Sequence, residues 1–171
     1  MIEQKTPRTH IVFREAVLQT DIEAVRGVVA GTGFFSAEEV AIAAELVEER
    51  LQKGPASGYE FIFAEVDGAV KGYSCYGLIP CSTVSWDLYW IAVAPDQQGS
   101  GLGRKVLDLT EQRIREAGGL AVYAETSGRE QYTPTRGFYG RCGYATGAVF
   151  EDFYGPGDAK YVFVKRLDRQ G

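Results

Sequence analysis

Histidine is almost missing from this sequence of 171 residues, because His10 is the only one. Neither a Ser–His–Asp triad nor a His-Glu-x-x-His zinc site fits such a chain. Any general acid or base must therefore come from Asp, Glu, Tyr, Cys or Lys. The three cysteines, Cys75, Cys81 and Cys142, are odd in number and show no Cys-x-x-Cys spacing. They predict neither a disulfide framework nor a metal site.

Long apolar runs are also missing. No stretch approaches the roughly 18 apolar residues that span a bilayer, and the N-terminal sequence MIEQKTPRTH lacks the apolar core of a signal peptide. With no disulfide framework either, we expect a cytoplasmic protein that does not bind membranes. The net charge of −5 gives no broad basic face, so nucleic acid is not expected as a partner. An amine-bearing small partner suits this charge better.

The composition, 45% hydrophobic and 24% charged, suits one compact domain over residues 1–171. Apolar periodicity and turn residues predict a mixed α/β sheet. Strands are expected over residues 10–18, 59–68, 69–79, 84–94, 120–126, 144–153 and 160–165, and helices over 20–31, 36–54, 102–117 and 133–143. In the third helix, we expect the solvent-facing side to carry Lys105, Asp108, Glu111, Gln112, Arg115 and Glu116.

Local signals mark the ends of several of these elements. Ser36 and Glu39 have the spacing of a helix capping box. The dipeptide Asp67-Gly68 favours a tight hairpin between the second and third strands.

A glycine-rich stretch, PDQQGSGLGRK at residues 95–105, joins an apolar strand to the third helix. Such a turn forms an anion site, because unpaired N–H groups and the positive end of the helix dipole converge there. The P-loop pattern does not fit, since both its Gly-Lys pair and its hydroxyl residue are missing. The dinucleotide pattern Gly-x-Gly-x-x-Gly is weakened by Arg104 in place of its third glycine, although Glu125 follows at a suitable spacing.

Gln98, Gly101 and Gly103 fit a third template without exception. The segment QGSGLG resembles the Q/R-x-x-G-x-G/A motif of the GNAT superfamily of N-acetyltransferases, in which this turn holds the pyrophosphate of acetyl-CoA. Further on, GFYGRCGY at residues 137–144 resembles the segment on and after the last helix of that superfamily. The resemblance spans residues 13–167 in element order. It implies an α/β GNAT fold: a mixed, mostly antiparallel sheet of six to seven strands, about four flanking helices, and strands splayed at the acyl-CoA site.

The resemblance also implies an enzyme that moves acetyl from acetyl-CoA, as cosubstrate and without a metal, directly to a primary amine of a small molecule or peptide. Tyr139 would be the general acid. Asp87 or a water would be the base, since a Glu occupies the place of Asp87 in the histone-acetylating branch. For Tyr139 the alternative is simple packing, and for Asp87 it is a local cap or pair at the strand end.

The cofactor-binding residues implied by the resemblance comprise strand backbone, the glycine turn and one polar side chain. Arg104, with Lys105, would meet the adenosine 3′-phosphate or else remain solvated. The superfamily often uses an Asn to hold the pantetheine arm, but this chain has no asparagine, so Thr126 or Ser127 is expected to substitute. The full set is Ile91, Val93, Gln98, Gly99, Ser100, Gly101, Leu102, Gly103, Arg104 and Thr126.

For the amine acceptor, we expect contacts from the connection between the first two helices and from the last hairpin, which flank the acceptor in similar proteins. The candidates are Phe34, Phe35, Glu151, Asp152 and Tyr154; Asp158 would add a third carboxylate. Two other functions stay open: an acyl-CoA-binding module without catalysis, and a nucleotide-dependent oxidoreductase or phosphotransferase. A homodimer is an option by resemblance, but no stretch specifies an interface.

Overall fold

The computed structural model describes residues 9–168, so most of the N-terminal stretch examined for a signal peptide lies outside the described residues. The described chain forms seven strands and four α-helices. In chain order these are β1 (Ile11–Arg14), α1 (Asp21–Gly31), α2 (Ala37–Lys53), β2 (Glu60–Val66), β3 (Ala69–Leu78), β4 (Ser85–Val93), α3 (Leu102–Glu116), β5 (Ala121–Ser127), α4 (Thr133–Arg141), β6 (Ala145–Gly155) and β7 (Asp158–Arg166).

The strands form one sheet in the order β1-β2-β3-β4-β5-β7-β6. Only β4 and β5 run parallel; every other neighbouring pair is antiparallel. The fold class predicted from the sequence, a mixed and mostly antiparallel sheet with helices, is therefore confirmed.

Two apolar cores lie on opposite faces of this sheet. One face packs against α1 and α2 through a cluster that includes Val29, Val47 and Phe63. The other face packs against α3 and α4 through a cluster that includes Leu107, Tyr139 and Phe163. Since both faces of the central strands are covered, β2 and β4 carry near-continuous apolar runs rather than a strict alternation.

The predicted turn signals form as expected. The Ser36 side chain accepts a hydrogen bond from the Glu39 N–H at 3.2 Å, and the Glu39 carboxylate accepts one from the Ser36 N–H at 2.7 Å. Both halves of the capping box are present, so α2 begins where the sequence indicated. Asp67 and Gly68 have φ values of 50° and 85°, as the tight hairpin between β2 and β3 requires.

Two expectations are wrong. Strand β1 ends at Arg14 rather than at residue 18, because the Arg14 guanidinium turns to bind the buried Asp21 carboxylate at 2.8 Å and so directs the chain into α1. Glu111 was expected on the solvent side of α3, yet it is 2% exposed. Its carboxylate accepts from the Lys165 ammonium on β7 at 2.7 Å, and this ion pair offsets the cost of burying the charge.

Candidate active site

The defining feature of the site is a fork between β4 and β5. The two strands pair from Ser85 opposite Ala121 as far as Leu88 opposite Ala124, and then separate. Beyond this point β5 continues to pair with β7, while β4 keeps only its antiparallel partner β3. The central sheet therefore opens into a wedge in which, within the described chain, the facing edges of β4 and β5 are both unpaired.

The backbone of β4 aims hydrogen-bonding groups into this wedge. The Ala94 N–H donates to the Lys71 carbonyl of β3 at 2.7 Å. Because N–H groups alternate in direction along a strand, those of Ile91 and Val93 point away from β3 and toward the gap. A β-bulge at Tyr89, where Leu88 and Trp90 oppose consecutive residues of β3, helps to bend the strand away from β5.

The glycine turn lies at the open end of the wedge, between β4 and α3. Gly99 and Gly101 have φ values of 76° and 83°, a conformation that a side chain disfavours. Among residues 9–168, the N–H groups of Gly99, Gly101, Gly103 and Arg104 have no hydrogen-bond acceptor. Together with the positive end of the α3 dipole, they form a concave donor site that suits a phosphate group.

Other side chains fasten this turn in place. The Ser100 hydroxyl donates to the Gln97 carbonyl at 2.6 Å and accepts from the Leu102 N–H at 3.3 Å. The Gln98 amide donates to the Val93 carbonyl at 3.4 Å, so it reaches the open edge of β4. The turn is thus held against the strand edge by its own side chains.

Arg104 is engaged within the protein. Its guanidinium donates to the Arg141 carbonyl at the end of α4 at 3.1 Å and pairs with Asp108 at 3.3 Å. The start of α3 is therefore tied to the end of α4. The next residue, Lys105, is exposed and has no ion-pair partner within the described chain.

Tyr139 lies on the α3 and α4 side of the sheet. Its ring stacks on Phe163 of β7 at a centroid distance of 5.2 Å and is 4% exposed. Its hydroxyl has no hydrogen-bond partner within the described chain. Burial raises the pKa of Tyr139, so this hydroxyl stays protonated at neutral pH and remains a proton donor.

Asp87 lies on β4 just before the fork, opposite Tyr123 of β5 and Gly77 of β3. Its side chain is half-buried, and among residues 9–168 no hydrogen-bond or ion-pair partner contacts its carboxylate. Burial raises the pKa of Asp87, and the negative charge of Glu125 raises it further. An unpaired carboxylate of raised pKa is a better proton acceptor than an ordinary aspartate.

The structure distinguishes the two side chains considered for holding a pantetheine arm. The Ser127 hydroxyl is already bound to Asp158 and to Arg129. Thr126, which follows the fork on β5 and is 8% exposed, has no side-chain hydrogen bond within the described chain. Its hydroxyl is therefore the one available to a ligand in the wedge.

The connection between α1 and α2 brings two of the predicted acceptor-side aromatics to the wedge. The Phe35 ring lies 5.0 Å from the Trp90 ring of β4, and the Phe34 ring lies 6.2 Å from that of Tyr132, which precedes α4. The Phe34 carbonyl accepts from both the Tyr132 hydroxyl and the Gln131 amide at 3.2 Å. These contacts fix an aromatic wall across the gap.

The hairpin of β6 and β7 contributes less than the sequence suggested. The Asp152 carboxylate accepts from the Gly157 N–H at 2.6 Å, so it holds the hairpin turn. Asp158 pairs with Arg129 at 3.2 Å. Glu151 is exposed, and Tyr154 is 50% exposed with its ring packed edge-on against Phe153. The structure does not bring these carboxylates together as one cation site.

The sequence did not predict that Glu125 and Tyr89 lie at the fork. Glu125 of β5 lies on the same sheet face as Asp87 and pairs with Lys160 of β7 at 2.8 Å. Tyr89 is the extra residue of the β4 bulge, and it turns its ring to the Asp87 side. In a strand that is apolar on both faces, no alternation of polar and apolar residues marks a bulge. Only the strand register shows that Tyr89 is the bulged residue.

Over residues 9–168, no set of three or more His, Cys, Asp or Glu side chains is arranged to bind a metal ion. None of the helices in this part of the chain is long and apolar enough to cross a membrane.

Comparisons with known proteins assign the family. A family model described as Acetyltransferase (GNAT) family matches residues 32–144. A solved GNAT-family protein from Desulfovibrio desulfuricans is 46% identical, with a TM-score of 0.90 over 93% of this chain and 100% of that chain. No curated protein matches.

More distant structures share the fold. A protein from Salmonella typhimurium, solved with its cofactor acetyl-CoA, is 19% identical, with a TM-score of 0.72 over 95% of this chain and 96% of that chain. An aminoglycoside 6′-N-acetyltransferase from Enterococcus faecium is 16% identical, with a TM-score of 0.74 over 95% and 99% of the two chains. Together with the matched family model, the 46% identical relative shows that this chain belongs to the GNAT acetyltransferase family.

Proposed function

We propose that this protein transfers an acetyl group from acetyl-CoA directly to a primary amine of a small molecule or peptide. Membership of the family supports acetyl-CoA-dependent acetyl transfer. The observation that carries the finer proposal is the fork beyond Leu88 and Ala124, which has unpaired N–H donors at its open end. Asp87 lies just before the fork on β4, and Tyr139 packs on Phe163, the β7 partner of Ala124.

Acetyl-CoA would supply the activated thioester. The N–H groups of the glycine turn would bind its pyrophosphate, and the β4 edge at Ile91 and Val93 would hold the pantetheine arm. The free hydroxyl of Thr126 would contact this arm from the opposite side of the wedge. The proposed binding set is Ile91, Val93, Gln98, Gly99, Ser100, Gly101, Leu102, Gly103, Arg104 and Thr126.

The acceptor needs a base. An alkyl ammonium with a pKa of ~10.4 is neutral only about once in 10³ at pH 7, a handicap of roughly 4 to 5 kcal/mol. Asp87, unpaired and half-buried, or a water that it orients, would take the proton. As the C–N bond forms and the C–S bond breaks, the leaving thiolate takes a proton from Tyr139.

Acceptor binding is proposed at the aromatic side of the wedge. Phe34 and Phe35 would form one wall, and Tyr154, Glu151 and Asp152 lie on the hairpin that flanks the opposite side. The Asp152 carboxylate already binds within the hairpin turn, so it would affect acceptor binding only through the conformation of that turn.

The test is release of free CoA thiol from acetyl-CoA, followed while a panel of primary amines is supplied. The proposal requires amine-dependent release and an N-acetylated product by mass spectrometry. A thermal shift with CoA, and with NAD and ATP for comparison, is measured in parallel. Stabilisation by CoA without release by any amine would instead identify an acyl-CoA-binding module without catalysis.

A further inference from the structure

Tyr89 follows Asp87 by two residues on β4, and its ring lies on the same sheet face as the Asp87 carboxylate. Gly77 and Asp87 are cross-strand partners, so their side-chain positions share one sheet face. A Cβ atom placed on Gly77 would lie 3.0 Å from Cε2 of Tyr89. The Tyr89 ring therefore covers Gly77 on the same face to which the Asp87 carboxylate belongs.

This ring is exposed but held in place. Tyr89 is 37% exposed, although it lies in the central strand of the sheet. Its ring packs edge-on against Tyr59, with centroids 5.4 Å apart and planes at 81°. An aromatic surface that is already fixed loses little conformational entropy when a flat partner packs on it.

Among the described charged side chains around Asp87, only the Asp87 carboxylate has no partner of opposite charge. Glu125 and Lys160 are the other charged residues that act on Asp87, and they pair with each other at 2.8 Å. A single ammonium beside Asp87 therefore balances this part of the site, while the adjoining surface offers an aromatic ring rather than a second carboxylate.

The distance between Asp87 and the Tyr89 ring determines how long an acceptor that contacts both must be. Cross-strand partners have Cβ positions about 4.5 to 5.5 Å apart, so the edge of the Tyr89 ring over Gly77 lies within about 8.5 Å of the Cβ atom of Asp87. A two-carbon chain between an aromatic ring and an amine bridges a gap of this order. We infer that the acceptor is an arylalkylamine with one positive charge, whose amine lies at Asp87 while its ring packs on Tyr89. This inference rests on the proposed function and names its substrate class.

The first experiment compares amines on the unmodified protein. Phenethylamine, butylamine and spermidine are each supplied with acetyl-CoA, and kcat/KM is measured for each. We expect phenethylamine to exceed butylamine by about 3- to 10-fold, the range of an aromatic pair, and to exceed spermidine as well. Butylamine or spermidine equal to or better than phenethylamine would overturn the inference.

The second experiment changes the ring. Tyr89→Leu keeps an apolar side chain without an aromatic surface, and Tyr89→Phe keeps the ring as a matched control. We expect the ratio of kcat/KM for phenethylamine over butylamine to fall close to 1 in Tyr89→Leu and to stay unchanged in Tyr89→Phe. A ratio that Tyr89→Leu leaves unchanged would contradict the role of Tyr89, and the comparison on the unmodified protein stands even where that variant folds poorly.

Failure of the inference is distinct from failure of the proposed function. If butylamine and spermidine are acetylated as well as phenethylamine, the acetyltransferase stands and only the aryl preference falls. If CoA stabilises the protein but neither these three amines nor any other amine of the panel releases thiol, the proposed function fails, and the substrate inference fails with it.

Discussion

The rings of Tyr139 and Tyr144 lie 5.4 Å apart, yet their hydroxyl groups have different surroundings. The Tyr144 hydroxyl is fully enclosed and, among residues 9–168, has no hydrogen-bond partner. The negative charge of Glu111 acts on Tyr144, whereas Tyr139 lies beside Cys142 and stacks on Phe163. Two neighbouring tyrosines thus form a natural pair for testing which hydroxyl serves as proton donor.

We expect Tyr139→Phe to lower kcat by about 10²-fold or more, because a general acid contributes typically that much. The dissociation constant for CoA should change little, since the ring packing against Phe163 is retained. Steady-state kinetics and calorimetric titration measure the two effects. Tyr144→Phe removes the enclosed hydroxyl and should leave kcat unchanged; equal rates in both variants would remove Tyr139 from the mechanism.

Asp87→Asn should lower kcat/KM by about 10²-fold at neutral pH if Asp87 is the base. The dependence of kcat/KM on pH tests the role of Asp87 more directly. A base must be ionised, and the pKa of Asp87 is raised, so log kcat/KM should rise with a slope of 1 below that pKa and level off above it, because the ionised carboxylate takes the proton of the bound ammonium. In Asp87→Asn the amine must arrive neutral, so log kcat/KM should rise with a slope of 1 up to the pKa of the ammonium, ~10.4.

The matched control for this variant is Asp96→Asn, which removes an exposed carboxylate paired with Lys71 outside the fork. It should leave the profile unchanged. Near-normal turnover in Asp87→Asn would assign the base to a water that does not need this side chain.

The glycine turn predicts opposite outcomes at two positions. Gly101→Ala should lower the free energy of unfolding by about 1 to 2 kcal/mol, because φ at 101 is 83°. A methyl group at 103 would meet Val93 and Phe138 at 3.4 Å and 3.7 Å, which are ordinary contacts. Gly103→Ala should therefore be neutral or stabilising, since alanine favours a helix more than glycine does.

Urea unfolding measures these stabilities, and titration with CoA measures binding. We expect only Gly101→Ala to weaken CoA binding strongly, because it displaces the N–H donors of the turn. Equal affinity in the two variants would indicate that the turn does not bind the coenzyme.

Alkaline pH should destabilise the fold through its buried tyrosines. Burial raises the pKa of Tyr73, Tyr76, Tyr139 and Tyr144. The folded state thus retains protons that the unfolded chain loses above pH ~10, so the contribution of these tyrosines to stability is constant below that pH and falls above it. Each tyrosine contributes a slope of about 1.4 kcal/mol per pH unit. In urea unfolding between pH 8 and 11, Tyr144→Phe should show a shallower loss; an identical loss would contradict this account.

Several parts of the fold could be read from short stretches of sequence. The capping box at Ser36 and the hairpin at Asp67 are local, because the residues that form each hydrogen bond or turn are neighbours in the chain. The strand, glycine turn and helix around Gly101 are local for the same reason. The family resemblance then implied a mostly antiparallel sheet with strands splayed at the acyl-CoA site, which no local pattern contains.

Long-range contacts account for what the sequence did not reveal. Helical periodicity placed Glu111 in solvent, but Lys165 lies far along the chain and only the packing of β7 against α3 brings the two together. In the same way, Asp152 and Asp158 are bound within the hairpin, while Tyr89 and Glu125 reach the fork.

The sequence by itself determined the glycine turn, the helix that follows it and the fold class, because backbone conformation and apolar periodicity are set by residues close together in the chain. Only the tertiary structure decided where β4 leaves β5, which carboxylate stays unpaired and which aromatic ring stands beside it. Those features depend on strand register and on partners distant in sequence, and neither leaves a local signal.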